Sequence, residues 1–440
     1  MRDHIESKIL ALLNKAKQKG ASAAEASASF SEGFNVNVRK GEVDTVEFNR
    51  DKGLTLTVYC GQRQGVVSSS DLSEQALNHC LDKAWTIAQY TDEDPAAGLA
   101  PKQRMAPKEI DLDLYHPWQI TPEEAIPLLK EAEAVAIAHD SRISNSEGVN
   151  LNTHQSDYVY ANSHGFCSAV RSTSHSFSCI LLATDKNGSM QRDYEYTHSR
   201  DAKTLDDFSA VAKCAAEYTV QKLGAQSIST GKMPVIFSQR MVAGLWGELL
   251  AAINGTNLYR DASFLKDTVG KAILNKCVTI VEDPYIKRGW ASSYFDKEGV
   301  ATQKRDLVKA GVLQGYILNS YSARRLGLET TGNAGGAHNI LVHSTGEDEQ
   351  TLLQKMNKGL LVTEVMGMGV NLVTGDYSQG ASGFWVEQGK IQHAVEGVTI
   401  AGNLSDMFAN IVAIGNDVNR RSHIESGSVL IAEMMVAGKN

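Results

Sequence analysis

A single carboxylate in an apolar helical segment is the first candidate for chemistry in this chain. The segment reads GLWGELLAAINGTNLYRD over residues 244–261, and apolar side chains recur in it at helical spacing, at Leu245, Leu249, Ala252 and Ile253. Many metal hydrolases carry such a glutamate on a helix, beside two histidines one turn apart that bind zinc. Here Glu248 has Gly247 and Ala252 at the flanking positions. The segment is either a core helix with an ordinary glutamate or a hydrolase helix without its metal ligands.

Two further pairs of residues have the types needed for chemistry, but each has a plainer structural interpretation. Glu123 and Glu124 could act as a catalytic pair, yet they follow Thr121 and a proline and so fit the acidic first turn of a helix. His338 and His343 are five residues apart across a strand-like segment, where an odd spacing points side chains to opposite faces. Neither pair predicts an active site.

The glycine-rich stretch TTGNAGGAHN, residues 330–339, has two interpretations. Its backbone N–H groups could form a concave site for an anion. It could equally be a mobile loop that faces a cleft or a partner, since it contains no lysine or arginine to complete a phosphate site. The sequence has no G-x-S-x-G motif and no P-loop, which argues against a serine hydrolase of the α/β type and against a nucleotide-binding enzyme.

The elements that must position these residues predict an α+β protein. Alternating apolar residues predict a hairpin about Lys40 and Gly41, and a second hairpin with its turn near Gln388 and Gly389. Helices are predicted at 3–19, from a cap at Ser70 or Asp71 to Tyr90, and at 121–140, 205–223, 347–358 and 404–414. Residues 91–107 read as a linker.

These elements group into three predicted parts. Residues 1–100 form an N-terminal α+β domain with a mixed sheet, and residues 121–225 form a middle α/β segment. Residues 226–440 form a glycine-rich C-terminal domain in which β-structure dominates.

Composition and charge favour a cytoplasmic protein. The 440 residues carry 43 basic and 51 acidic side chains, a net charge of −8, which is not typical of proteins that bind nucleic acid or anionic lipid. The N-terminus lacks the pattern of a signal peptide, and no apolar run approaches the roughly 18 residues that span a bilayer. The six cysteines form no C-x-x-C pair, so we expect free thiols. From the charge and the apolar runs we expect neither a membrane nor a nucleic acid as partner.

The C-terminal third of the sequence resembles one known family. Residues 369–404, here called the signature segment, read GVNLVTGDYSQGASGFWVEQGKIQHAVEGVTIAGNL. They closely resemble the signature of the TldD/PmbA family, which supplies both subunits of a bacterial peptidase complex. GLLVTEVMG just upstream, the TTGNAGG loop, and RKGEVDTVEF near the N-terminus extend the resemblance over essentially the whole chain. By pattern the chain is similar to the PmbA (TldE) branch.

The resemblance also bears on Glu248. In the TldD branch the matching helix carries H-E-x-x-x-H and binds one zinc together with a late cysteine. On this sequence the two histidines fall on Gly247 and Ala252, and the last cysteine is Cys277. Zinc sites need three or four ligands, so the resemblance implies no metal and no cofactor here, with zinc in a TldD-type partner. Glu248 would then serve in solvation, in a salt bridge, or in lining a shared chamber.

Three functions follow from the resemblance as expectations. The first is a non-catalytic subunit that pairs with a TldD-type chain, forms a possible homodimer in isolation, and helps to hold unfolded peptides. The second is a peptidase in its own right. The third is a modulator that binds DNA gyrase without proteolysis.

The signature segment suggests where a peptide or partner would bind. Glycines in a strand let another backbone approach closely, and an extended peptide could add to such a strand by main-chain hydrogen bonds. The alternative is that the glycines only serve tight packing between strands. The residues predicted for this groove are Asn371, Gly375, Asp376, Gly380, Gly383 and Asn403.

Overall fold

Six strands in the first half of the chain form one antiparallel sheet. In the computed structural model the backbone is described for residues 2–438 and the side chains for residues 5–438. The strands are β1 Ala23–Arg39, β2 Glu42–Cys60, β3 Arg63–Ser69, β4 Ile143–Asn162, β5 Cys167–Thr184 and β6 Met190–Ser199. Their order is β3-β2-β1-β4-β5-β6, and every neighbouring pair is antiparallel.

The α+β class predicted from the sequence is confirmed, but the mixed sheet predicted for residues 1–100 is wrong. Hairpins join β1 to β2 and β2 to β3, and short hairpin connections give antiparallel neighbours. The sheet then continues through β4, β5 and β6, which belong to residues 121–225. One sheet thus spans residues that the sequence assigns to two predicted parts.

Four helices pack on one face of this sheet at its two ends. They are α1 Arg2–Gln18, α2 Glu74–Tyr90, α3 Pro122–His139 and α4 Phe208–Gln221. Helices α1 and α2 cover the even-numbered residues of β1 from Ala24 to Ala28, and α3 and α4 cover those from Phe34 to Val38. Because side chains alternate between the two faces of a strand, one face of β1 contributes residues to two neighbouring hydrophobic cores.

The helix starts follow side-chain caps. Thr121 and Glu124 form a reciprocal capping box at the start of α3, so the predicted helix start is confirmed. Helix α2 is capped by Ser73 and not by Ser70 or Asp71, and α4 begins after its cap Asp207, three residues later than predicted. Each shift places the first helical N–H groups within reach of the capping oxygen.

The segment 91–107 is packed against the second half of the chain. The guanidinium of Arg324 donates to the carbonyl oxygens of Ala96 and Gly98 at 2.7 and 3.0 Å, and Tyr321 donates to Asp94 at 2.8 Å. Leu99 is buried in the same stretch. The linker expectation is therefore replaced by an irregular connection that is held by hydrogen bonds.

Short strands and helices make up the second half. The strands are β7 Gly231–Phe237, β8 Ile280–Asp283, β9 Arg305–Lys309, β10 Val312–Leu313, β11 Asn339–Val342, β12 Gly359–Met366, β13 Val370–Asn371, β14 Asp376–Glu387, β15 Lys390–Asn403, β16 Ile411–Ile414, β17 Ile424–Glu425 and β18 Val429–Ala437. The helices are α5 Val242–Ala252, α6 Gly255–Tyr259, α7 Ser320–Leu326, α8 Glu349–Met356 and α9 Leu404–Ala409.

Five of these strands close into a ring. Strand β12 pairs with β7, β7 with β18, β18 with β15, β15 with β14, and β14 again with β12. Closure removes free strand edges from the ring. A second sheet has the order β10-β9-β8-β11-β17. The helix predicted over 404–414 ends at Ala409, because residues 411–414 form β16 and pair with β18.

Both predicted hairpin turns are confirmed. Lys40 and Gly41 have φ of 54° and 75°, and Gln388 and Gly389 have φ of 52° and 68°. Two consecutive positive φ values match the twist of an antiparallel pair joined by a two-residue turn. Within the described residues, the structure contains no helix that is long and apolar enough to cross a membrane.

Candidate functional site

The three predicted zinc-helix positions lie on α5. The buried face of this helix consists of Val242, Leu245, Trp246, Leu249 and Ala252. Trp246 fixes the helix to the C-terminal segment, because its Nε1 donates to Ser426 Oγ at 2.9 Å. Gly247 and Glu248 are only partly buried and lie on the flank of the helix. The sequence prediction of an amphipathic helix is confirmed, with the carboxylate at the edge of its core face.

The two positions beside Glu248 differ in their surroundings. An ideal Cβ built on Gly247 would have no heavy atom within 4 Å beyond its own helical turn, so a side chain has room there. Ala252 is fully buried in the core of the C-terminal half. Gly247 and Ala252 have no side-chain nitrogen, oxygen or sulfur to offer a metal.

Glu248 is a half-buried carboxylate without a protein partner. Among the described residues it makes no hydrogen bond and no ion pair, so the expected salt bridge is not present there. Burial raises the pKa of Glu248 above its ordinary value. Burial also raises the pKa of Tyr377, and the charge of Glu248 adds to that increase. The charge of Glu248 is thus close enough to act on Tyr377, which belongs to the signature segment.

These residues do not fit a zinc ion. Within residues 5–438 no group of three or more histidine, cysteine, aspartate or glutamate side chains is arranged to hold a metal. Structural and catalytic zinc sites use at least three protein ligands, and Glu248 offers one. The half-buried thiol of Cys277 lies against the carbonyl oxygen of Ile411 at 3.8 Å. Glu248 and the residues beside it on α5 therefore do not form a zinc site by themselves.

Four of the six predicted groove residues meet at one end of the signature segment. Asp376 in β14 pairs with Asn371 on one side and Asn403 on the other. Asn403 Nδ2 donates to the carbonyl oxygen of Thr374 at 2.9 Å, and Gly375 N donates to that of Asn371 at 2.7 Å. Asn403 also caps α9. The cluster builds the β13–β14 turn, and Asn371 and Asp376 stay exposed.

The other two groove residues, Gly380 and Gly383, lie in the middle of a fully paired strand. Gly383 is opposite Val362 of β12 and Val395 of β15. A Cβ on Gly383 would lie 1.9 Å from the carbonyl oxygen of Leu361. Both edges of β14 are thus occupied at these glycines, and a peptide strand cannot add there while β12 is in place. The close backbone approach predicted for Gly383 is real, but the approaching backbone is β12.

The glycine-rich loop 330–339 encloses a carboxylate of this same chain. Glu282, which is 1% exposed, accepts from Asn333 Nδ2 at 2.7 Å and from the backbone N–H of His338 at 2.8 Å. Its second oxygen accepts from Arg305 Nε at 2.8 Å. The loop thus holds a carboxylate of its own chain, about fifty residues upstream, through one backbone N–H and one side-chain amide, which differs from the predicted concave site of backbone N–H groups.

A second carboxylate is held by the same loop. Asp296 accepts from the backbone N–H groups of Ala334, Glu298 and Val300 at 2.8 to 3.0 Å. Burial, and then the negative charge of Glu298, raises the pKa of Asp296 to about 7. His338 has both ring nitrogens within hydrogen-bond distance of backbone carbonyl oxygens. These groups are occupied by the protein and hold the loop in place.

Sequence reasoning missed two connected cavities between the halves of the chain. A cleft of about 720 Å³ lies between β6, α4 and residues 416–421, and a cavity of about 290 Å³ adjoins it. Their walls hold two ion pairs of a buried carboxylate with a partly exposed arginine, Glu195 with Arg421 and Asp193 with Arg240, the latter at 2.9 Å. The alternating acids of DYEYTHS in β6 are the signal that could have revealed them, since residues two apart share a face.

Comparisons with known proteins cover all of these regions. Residues 24–88, 115–223 and 230–438 match the sequence profiles of domain 1, the central domain and the C-terminal domain of the PmbA/TldA metallopeptidases. The chain is 47% identical to Metalloprotease PmbA of Escherichia coli O157:H7, over 94% of this chain and 92% of that protein. It is 44% identical to a PmbA homologue of Haemophilus influenzae, over 96% and 93% of the two chains.

Solved structures agree with these matches. A Bacteroides thetaiotaomicron protein described as a candidate modulator of DNA gyrase has a TM-score of 0.94 and 25% identity, with 99% of each chain covered. TldE of Thermococcus kodakarensis has a TM-score of 0.85 and 18% identity, with 98% of this chain and 100% of that chain covered, and shows the same fold. The fold is thus that of the TldD/TldE proteins. By sequence the chain belongs to the PmbA/TldD family of metallopeptidases, in its PmbA branch.

Proposed function

We propose that this chain is a non-catalytic subunit of a two-chain zinc peptidase that cleaves unfolded peptides in the cytoplasm. The observation that carries the proposal is the state of α5. The family resemblance aligns Glu248 with the catalytic glutamate of the zinc-bearing branch, and neither Gly247 nor Ala252 has a side-chain ligand atom. The zinc would belong to a TldD-type partner, and this chain would complete the chamber around it.

An exposed loop next to the signature segment supports a role in holding peptide or partner. The loop between β12 and β14 carries three exposed apolar side chains: Met366 at 52%, Met368 at 100% and Val373 at 56% exposure. Exposed apolar side chains that cluster in one loop are typical of contact surfaces, and methionine adapts to varied partners. Asn371 and Asp376 at the adjoining turn would supply polar contacts. Gly380 and Gly383 would support this surface from within the sheet.

Metal analysis of the isolated chain tests the proposal directly. After mild dialysis we expect far less than one zinc per chain, because a single carboxylate cannot hold the ion against water. A TldD-type chain that retains H-E-x-x-x-H, purified in the same way, is the matched control and should hold about one. About one tightly held zinc per chain in this protein would instead support a peptidase in its own right.

A second function has one observation in its favour. The solved Bacteroides structure and a Thermotoga maritima structure, with 26% identity and a TM-score of 0.88, are both described as candidate modulators of DNA gyrase. If this chain acts in that way, the isolated chain should bind purified gyrase without any peptidase partner. If gyrase binds only when the TldD-type chain is present, the interaction would be a property of the peptidase complex and not of this chain alone.

A further inference from the structure

Although β12 belongs to the closed ring, the end of this strand is supported by a neighbouring strand on one side only. Strand β12 pairs with β7 from Leu360 to Val362, and the backbone N–H of Ser238 donates to the carbonyl oxygen of Val362 at 3.0 Å. Its pairing with β14 continues to Met366. We call residues 363–366 the outer end. On the edge away from β14, the outer end has no strand of the described chain beside it.

A bulge separates the outer end from the rest of β12. The register of β12 with β14 shifts between Val362 and Glu364, so Thr363 is the additional residue of the bulge. Bulges bend a strand and redirect the side chains that follow. Thr363 lines the cavity of about 290 Å³, and its buried hydroxyl has no hydrogen-bond partner among the described residues. The hydroxyl of Thr363 therefore does not fix the direction of the outer end.

A buried lysine of the central domain reaches the outer end. Lys222 follows the last residue of α4, and its side chain is 10% exposed. Its Nζ lies 2.9 Å from Glu364 Oε2 and 3.0 Å from Asp193 Oδ2. Ser382 Oγ of β14 donates to the same oxygen of Glu364 at 3.1 Å. Lys222 thus connects β6 with β12, and we call its contacts with Asp193 and Glu364 the Lys222 bridge.

The two carboxylates of the Lys222 bridge differ in how far they depend on Lys222. Asp193 is also paired with Arg240, at 2.9 Å. Burial acts to raise the pKa of Asp193, but the charges of Arg240 and Lys222 outweigh it and hold that pKa below its ordinary value. Among residues 5–438, Glu364 has an ion pair with Lys222 alone. Loss of Lys222 would therefore leave Asp193 with a cation and release Glu364 from the central domain.

We propose that Lys222, through its contact with Glu364, positions the outer end of β12. Met366 and Met368 thereby keep the orientation in which they meet peptide or partner, so the inference rests on the proposed function. Without the Lys222 bridge, the outer end keeps its pairing with β14 and the packing of Val365 against the core. We therefore expect the outer end to loosen while the rest of the ring stays intact. Lys222 is a positioning residue and not a catalytic one.

Hydrogen–deuterium exchange on the isolated full-length chain tests the bridge. Glu364→Ala removes the bridge at β12 and leaves the pair of Lys222 with Asp193 in place. Backbone amides of the outer end should exchange about tenfold faster in this variant, because local opening depends on local contacts. Glu433→Ala is the matched control, since it breaks an exposed ion pair with Lys232 in the same ring, at 2.8 Å. The control should leave exchange of the outer end unchanged.

Lys222→Met breaks the same bridge from the other side. An apolar residue of similar size replaces a buried ion at little cost when the remaining carboxylate keeps a partner, here Arg240. This variant should accelerate exchange of the outer end to the same extent as Glu364→Ala. The double variant should be no faster than either single variant, because both substitutions remove one shared contact. Additive effects would show that the two residues act separately and would overturn the proposal.

Peptide cleavage with a zinc-bearing TldD-type partner separates positioning from folding. For Glu364→Ala we expect KM to rise about fivefold with kcat within about twofold of the wild type, because a lost binding contact that takes no part in chemistry changes KM alone. Glu433→Ala should change neither quantity. Equal melting temperatures of the variants and the wild type would show that folding is intact.

Three results would overturn the inference. Unchanged exchange of the outer end in both single variants would show that the Lys222 bridge does not hold it. Faster exchange throughout the ring, together with a lower melting temperature, would show that the bridge only stabilises the fold. Faster exchange of the outer end without a change in KM would show that its orientation does not matter for peptide. The proposed function fails differently, namely if the wild-type complex cleaves no peptide, and the inference would then fall with it whatever the exchange shows.

Discussion

Two carboxylates on the second half of the chain stand in opposite situations. Glu282, in the glycine-rich loop region, is almost fully buried, and Arg305, Asn333 and a backbone N–H satisfy its oxygens. Glu248 on α5 is half-buried and has no hydrogen-bond partner among the described residues. A buried carboxylate persists only when its partners offset the cost of desolvation. Glu282 is thus part of the framework, whereas Glu248 remains available to something outside this chain.

Two glycines repeat the contrast. Gly383 is closed in by the backbone of β12, and Gly247 faces open space. The signature segment therefore uses its glycines for the fold, whereas α5 carries a glycine that the fold does not need. Substitutions at these four positions should destabilise the protein at Glu282 and Gly383, where the protein encloses the residue, and have small effects at Gly247 and Glu248.

The largest effect is expected for Glu282→Gln. The neutral side chain leaves the guanidinium of Arg305 without its ion-pair partner in a buried site. Removing one member of a buried pair typically costs about 3–5 kcal/mol. Chemical denaturation should show a fall in the free energy of unfolding of this order. Glu248→Gln is the matched control with the same change of atoms, and a similar loss in both variants would contradict the contrast between the two carboxylates.

Gly383→Val should be the next most harmful to stability. Its Cβ would meet the carbonyl oxygen of Leu361, and backbone atoms cannot move aside as a flexible side chain can. Overpacking in a closed site costs about 1–3 kcal/mol or more. Thermal melting of the isolated chain is the measurement. If the variant melts like the wild type but does not support peptide cleavage with the partner, a peptide strand at this position would be indicated instead.

A small gain in stability is expected for Gly247→Ala. The glycine lies inside a helix, its φ is not positive, and an added methyl group has room. Alanine in a helix interior is more favourable than glycine by about 0.5–1 kcal/mol. Gly383→Ala is the matched control and should destabilise the protein. A loss of stability in the Gly247→Ala variant would mean that other atoms occupy the space beside Gly247 in solution.

The local parts of the fold could be predicted from the sequence because their causes are local. Lys40-Gly41 and Gln388-Gly389 have the residue types that positive φ requires, and Thr121 with Glu124 has the spacing of a capping box. The environment of Glu282 could not be predicted, because its partners lie between 23 and 56 residues away in sequence. The pairing of β12 with β14, which closes the ring, also joins segments that are distant in sequence and could not be predicted. This pairing places Gly383 against the backbone of β12.

The site was predictable only where residue type alone is decisive. The absence of ligand atoms at Gly247 and Ala252 follows from the sequence once the family helix is aligned. The groove prediction mixed two kinds of residue that the sequence does not separate. Asn371 and Asp376 lie exposed at a turn, whereas Gly380 and Gly383 lie inside a paired strand. Pairing depends on distant chain segments, so only the structure divides them.

The smallest effect is expected for Glu248→Gln, in both stability and activity. Surface substitutions without partners usually change stability by less than about 0.5 kcal/mol. Burial raises the pKa of Glu248, so the folded state binds its proton more tightly than the unfolded state does. The wild type therefore loses a little stability as the pH rises through that raised pKa, and the glutamine variant does not. Measured from acid to alkaline pH, the melting temperature of the wild type should fall relative to that of the glutamine variant. At the acid end, the two melting temperatures should be similar.

Activity in the mixed complex is the sharper readout for Glu248. Loss of a general acid–base group typically costs about 10²–10⁴ in rate, so the equivalent change in a zinc-bearing partner should be severe. In this chain the same substitution should leave peptide cleavage within a few-fold of the wild type, because Gly247 and Ala252 offer no imidazole to hold a metal-bound water beside Glu248. The two mutant subunits are assayed one at a time on one unfolded peptide, at saturating partner. Gel filtration must show that each complex is intact. A hundredfold loss from Glu248→Gln in an intact complex would mean that this chain contributes chemistry, and the non-catalytic assignment would have to be abandoned.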